Sequence, residues 1–177
     1  MLTASVIWGV ILSTKAFPRN RRPAWLLDLH RWLGGLTVSF VAIHLDALVA
    51  DSYVHFTVTD LGIPMASDWK PGAVACGVIA MWLLVAVEVT PLALRRLPRR
   101  VWRSVHLSSY AVFWLTSIHA AVAGTEGTQP LYQVTAVASI VAVAWALMYR
   151  LANRRATRSS RRLGAVGPAV AHSTKGT

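Results

Sequence analysis

Four of the six histidines fall in two apolar runs, at nearly the same spacing in each. The run DLHRWLGGLTVSFVAIHLDA carries His30 and His44, 14 positions apart, and SVHLSSYAVFWLTSIHAAVA carries His106 and His119, 13 apart. An ionisable side chain at membrane depth is costly and marks a functional site by default, although a lone histidine also serves as a hydrogen-bonded packing residue. Two on each of two runs shift the balance towards ligation. At about 1.5 Å per residue, either spacing rises roughly 20 Å along a helix, most of a hydrocarbon core about 30 Å thick. Each run therefore offers an imidazole at two depths.

The elements that position these residues follow from composition. The chain has 177 residues, is 55% hydrophobic with a mean hydropathy of +0.48, and contains eight tryptophans, too much apolar surface for one soluble core of ordinary proportions. Four runs have membrane-spanning length: Leu26 to Ala50, Gly72 to Leu94, Ser104 to Ala123 and Leu131 to Tyr149. A fifth, Met1 to Ser13, is short. No basic residue precedes it and no small-residue cleavage site follows, so it reads as a first helix shortened by truncation or a late start rather than as a signal peptide.

Charge orders the connections. Lys15, Arg19, Arg21, Arg22 and Arg31 form one basic cluster; Arg95, Arg96, Arg99, Arg100 and Arg103 a second; Arg150, Arg154, Arg155, Arg158, Arg161, Arg162 and Lys175 a third. These hold 17 of the 18 basic residues, while the intervening segments carry Asp51, Asp60, Asp68 and Glu126 against a lone Lys70. The positive-inside rule then predicts an all-α, multi-pass bundle of about five helices in the cell (inner) membrane, N-terminus outside and C-terminus cytoplasmic. The net charge of +11 reads as topology rather than nucleic-acid binding, because the arginines sit between apolar runs. In domain terms, residues 1–22 are the short first helix and a basic loop, 23–152 the bundle, and 153–177 a basic, disordered cytoplasmic tail that touches anionic lipid; His172 lies there without a role. The single Cys76 excludes a disulfide framework and a CxxC haem attachment.

One helix separates the two histidine carriers, so they run in the same direction. His30 then meets His106 near the cytoplasmic face and His44 meets His119 near the outer face. Two imidazoles at each depth suit a six-coordinate haem, whose porphyrin supplies the other four ligands. Zinc or copper would want further ligands at one depth. Helical phase is less accommodating: a 14-residue spacing closes to within about 40°, but 13 residues leave about 140° open. His106 and His119 therefore need a local distortion such as a π-bulge, supercoiling or different side-chain rotamers to face one partner, with Ser108, Ser109 or Ser117 able to bend the helix by bonding back to the preceding turn.

Gly34, one turn after His30, leaves room for a flat macrocycle or serves small-residue helix packing. Arg31 and Arg103 lie at the depth of propionate groups, where arginine also simply marks the interface. Phe40, Tyr110, Phe113 and Trp114 lie between the two levels and read first as aromatic packing. Asp46 and Glu88 are further acids within the helices, Glu88 placed to relay protons or pair with an arginine, and His55 reads as a solvated loop histidine.

The two histidine pairs on alternate helices, with LHRWLGGL, HLDALVADSYVHF, RRLPRRVWRSVHLSSYAVF and SIHAAVAG around them, resemble the ferric reductase-like transmembrane domain from about Pro23 to Gly124. That superfamily includes the membrane part of NADPH oxidases, ferric-chelate reductases and the haem subunit of bacterial methionine sulfoxide reductase systems. The resemblance implies two b haems, ligated by His30 with His106 and by His44 with His119, and a 13-residue spacing on the second carrier is usual there. The chain departs from it in having no G-x-G-x-x-G element and no strand-rich region, only a basic tail, and in lacking a sixth helix.

The sequence thus predicts a dihaem b-type cytochrome, the electron-transfer component of a ferric reductase-like oxidoreductase. Its electrons come from a cytoplasmic flavoprotein, with FAD or FMN only on that partner, or from a membrane quinol, and pass to an outer acceptor. Two other classes stay open: an accessory haem subunit without turnover, and a histidine-lined metal or proton pathway.

Overall fold

A computed structural model describes residues 1–14, 23–52, 54–93, 98–124 and 127–171, without the side chains of 154 and 156–171. Lys15, Arg19, Arg21, Arg22, Arg95, Arg96, Glu126, His172 and Lys175 lie outside the described residues. Among the described residues the regular elements are all helices: α1 (Leu2–Ser13), α2 (Ala24–Ala50), α3 (Val58–Gly62), α4 (Pro71–Val89), α5 (Arg99–Leu107), α6 (Ser109–Ala123) and α7 (Pro130–Ala171). Among the described residues, α2, α4 and the Pro130–Asn153 part of α7 are long and apolar enough to cross a membrane; α1, with 12 residues, is a shorter apolar helix.

Helix α4 is the centre of the bundle. Pro71 at its first turn suits a position whose N–H has no helical partner, and its buried face is built from small and branched residues: Ala73, Val74, Ala75, Val78, Ala80, Leu84 and Val87. Small side chains let helix backbones approach closely in a membrane, and α4 packs most extensively against α6. Helix α1 belongs to the same bundle rather than standing apart from it. It packs on α2, α6 and α7, its Val6 shares a buried cluster with Phe113 and Val143, and its Trp8 indole donates to the Leu26 carbonyl at 2.9 Å.

Hydroxyls within the spans satisfy themselves locally, as an apolar solvent requires: Thr37 donates to the Leu33 carbonyl at 2.8 Å and Ser39 to Gly35 at 3.0 Å. The loop after α2 is stapled by α3, where Thr57 and Asp60 form a capping box and Trp82 of α4 donates to the Gly62 carbonyl at 2.9 Å. The Thr57 hydroxyl and amide hold the Asp60 carboxyl below the usual carboxylate range.

Two features differ from the sequence expectation. The run from Ser104 to Ala123 is two helices, broken at Ser108, and not one. Helix α7 continues to Ala171 across the segment expected to be a disordered tail. Extending an existing helix needs only propagation, the nucleus being already formed in the apolar part, and the arginines and alanines before Gly164 are good helix formers, whereas Gly164, Gly167 and Pro168 are not, so propensity does not account for the last turns.

Candidate functional site

The break at Ser108 settles the phase of His106 relative to His119. Ser108 turns with φ −65° and ψ −11°, its hydroxyl donates back to the Val105 carbonyl at 2.6 Å, and its carbonyl accepts from Val112 as α6 begins. His106, in the last turn of α5, thereby faces His30 of α2, while His119 on α6 faces His44 towards the other end of α2.

The result is two facing imidazole pairs. His30 and His106 have ring centroids 5.9 Å apart with planes at 78°; His44 and His119 are 6.3 Å apart at 79°. Two imidazoles bound to one metal ion from opposite sides would have centroids about 6.2 Å apart, allowing ~2.0 Å for each metal–nitrogen bond and ~1.1 Å from nitrogen to ring centre. Both pairs fit that requirement. No group of three or more His, Cys, Asp or Glu that could hold a bare metal ion occurs among the described residues.

Each pair lines its own cavity. The first, about 470 Å³, lies at the arginine end and is lined by His30, His106, Gly34, Glu88, Trp102, Arg103, Tyr110 and Arg150 among others. The Nδ1 atoms of His30 and His106 and the indole nitrogen of Trp102 are buried there without a hydrogen-bond partner among the described residues. The Trp102 ring stacks on His106 at 5.3 Å and 14°, and an Arg150 guanidinium nitrogen lies 2.5 Å from the Tyr110 hydroxyl. Helix α1 closes this cavity through Ser5 and Gly9; a Cβ at Gly9 would sit 3.4 Å from the His30 ring. A Cβ at Gly34 would lie 2.6 Å from the Glu88 carboxylate, so the bare glycine makes room for that acid.

The second cavity, about 580 Å³, is more apolar, with Leu45, Leu48, Val74 and Met81 around the histidines and Phe56, Trp69 and Tyr132 among its aromatic lining. Here one ligand candidate is oriented by backbone. His119 Nδ1 lies 2.8 Å from the Ala73 carbonyl oxygen, and a Cβ at Gly77, one turn along α4, would strike the His119 ring at 2.8 Å. A carbonyl can only accept, so this contact keeps the proton on Nδ1 and leaves the Nε2 lone pair free. Both volumes are in the range of cofactor sites.

Leu2, Thr37, Leu84 and Val112 line both cavities and so form the wall between them. That wall is largely aliphatic. Of the aromatic residues expected between the levels, Phe40 and Trp114 are exposed on the bundle surface, Phe113 is buried in the α1–α7 cluster and Tyr110 belongs to the arginine-end cavity.

Other singled-out residues divide. Arg103 and Gly34 line the arginine-end cavity, as does Glu88, whereas Arg31 turns to Asp28 at 3.6 Å on the exposed face and lines neither cavity. Asp46 and His55 are exposed and line neither. Sequence reasoning missed Arg150, read only as a topology charge, and Trp102, although its place one helical turn before His106 was a usable signal. It could not have found Ala73, which acts through a carbonyl that every residue type carries.

No curated protein and no solved structure matches the chain. The family model described as "Ferric reductase like transmembrane component" matches residues 1–118, a stretch that contains His30, His44 and His106 and ends one residue before His119. The chain belongs to the ferric reductase-like transmembrane component family.

Proposed function

We propose that this protein is a dihaem b-type cytochrome of the cell membrane, carrying electrons across the bilayer from a cytoplasmic flavoprotein or membrane quinol to an acceptor on the outer side. Family membership supports a membrane electron-transfer component. The observation that carries the finer reading is the pair of facing imidazole sets, 5.9 and 6.3 Å apart, at two levels of one helical bundle.

His30 and His106 would hold one haem, and His44 and His119 the other. A haem held by two histidines accepts and returns one electron with no coordination position left open to substrate. The chain's own residues do the rest. Arg103 and Arg150, which line the arginine-end cavity, would supply cations for the carboxylates of a haem bound there. The Ala73 carbonyl fixes the tautomer and ring orientation of His119. Leu84 and Val112 keep water out of the wall that electrons cross between the levels. Bilayer-facing side chains such as Phe40, Ile43, Trp82 and Trp145 are exposed and apolar, as a lipid solvent permits.

An absorption spectrum of the purified, dithionite-reduced protein, with haem quantified per chain, tests this reading. About two haems per chain with low-spin b-type bands is the expected result. One haem would reduce it to a single-haem variant, a colourless protein would sink it in favour of an ion pathway, and haem that never reduces an added acceptor when a flavin donor is supplied would make the chain an accessory subunit.

A further inference from the structure

Lys70 is the single basic residue outside the three arginine-rich clusters. It also occupies a backbone position that disfavours a side chain: φ 41° and ψ 58°, left-handed, at the N-cap of α4. Glycine would make this turn without strain, so a lysine here points to a use for its side chain.

That side chain reaches across to α6. Its ammonium donates to the Val122 carbonyl at 2.7 Å and lies 4.9 Å from the ring centre of Trp69, a residue that lines the second cavity. The last carbonyls of a helix lack intrahelical partners and form its negative end, which makes them good acceptors for a cation. Val122 is three residues beyond His119, on the next turn. The contacts close a ring: the Lys70 carbonyl accepts from the Ala73 amide at 2.9 Å, the Ala73 carbonyl accepts from His119 Nδ1 at 2.8 Å, and the turn of α6 that follows leads back through Val122 to the Lys70 ammonium.

We propose that Lys70 is a positioning residue for His119, pinning the end of α6 to the first turn of α4 so that the His119–Ala73 bond stays formed. The consequence for ligand affinity rests on the haem reading; the hydrogen-bond ring does not. The bond needs the two helix ends in one register, and Gly77 allows the imidazole to lie flush against α4 only while that register holds. Removing the ammonium frees α6 to slide or fray at its last turn, and the proton on the His119 ring is then no longer confined to Nδ1.

The test compares the full-length wild type, Lys70→Gly and Lys70→Arg in lipid nanodiscs. Lys70→Gly relieves the left-handed strain while deleting the ammonium, so its fold is protected; Lys70→Arg keeps a cation. In the haem-free protein labelled with ¹⁵N-histidine, wild-type His119, assigned through a His119→Asn variant, gives a single Nδ1–H tautomer. Lys70→Gly gives a mixture, and Lys70→Arg restores the single form. In haem titrations Lys70→Gly weakens one of two sites by about 10–100-fold, the usual cost of losing an orienting partner, and leaves the other unchanged. A wild-type tautomer in Lys70→Gly overturns the proposal. A wild type that takes up no haem would instead remove the cytochrome reading, while the tautomer comparison still decides the role of Lys70.

Discussion

His119 is held to the backbone of α4 by a 2.8 Å hydrogen bond from Nδ1 to the Ala73 carbonyl, over a glycine that leaves the ring just enough room. The same helix thus supplies both the acceptor and the clearance. Gly77→Ala would place a Cβ 2.8 Å from the ring and drive it off the carbonyl. The expected outcome is loss of haem from the His44–His119 level alone, seen as roughly half the wild-type haem per chain with the other level intact. Gly34→Ala is the control. The atoms nearest its Cβ are the end of the flexible Glu88 side chain, which can swing away, so both levels should keep their haem.

Each ligand pair should be separable from the other. Each of the four paired histidines has its partner at its own level, and a largely aliphatic wall divides the cavities. His44→Ala should abolish the haem at its level and leave the His30–His106 haem, and His30→Ala should do the reverse. Redox-titrated absorption spectra would resolve which component disappears. Survival of both components in either variant would break the assignment.

How much of this was legible in the sequence depends on the residue. The four histidines, the parallel direction of their carriers and the all-helical class follow from spacing and charge alternation, because those patterns are periodic and the membrane enforces them. The phase mismatch of His106 and His119 was legible as a problem, and Ser108 stood among its candidate causes; that the helix actually breaks there depends on tertiary packing. Arg31 and Arg103 looked equivalent from depth alone, yet one turns to Asp28 and the other lines a cavity, since depth does not fix the azimuth of a side chain about its helix. Packing of the short α1 against the His30 ring could not be read from a 12-residue apolar run with no polar face.

Ser108 supplies a further test. Its hydroxyl returns to the Val105 carbonyl at 2.6 Å and holds the turn that separates α5 from α6. Ser108→Ala removes that bond and favours a continuous helix, in which a 13-residue spacing leaves the two histidines about 140° out of phase. Haem titration should show weaker binding at the His30–His106 level, by up to about tenfold, with His44–His119 unaffected. Equal affinity at both levels would mean that packing alone holds the break.

The two levels orient their histidines by different means, so substitutions at the two levels should act differently. His119 has a carbonyl partner, but His106 Nδ1 is buried with none among the described residues, and what lies against its ring is the indole of Trp102 at 5.3 Å and 14°. A stacked aromatic pair contributes about 0.5–1.5 kcal/mol beyond its buried area, enough to favour one ring orientation by roughly 2–10-fold. Trp102→Ala should therefore lower haem affinity at the His30–His106 level by about that factor and broaden the low-spin ferric electron paramagnetic resonance signal of that haem, as the imidazole plane loses its restraint. Trp102→Phe keeps a stacking surface without the orphaned indole N–H and should stay near wild type in both measurements. If Trp102→Phe were as impaired as Trp102→Ala, the indole nitrogen rather than the stack would be what the site needs, and the most direct account would be a hydrogen bond from Trp102 to a carboxylate of the bound group.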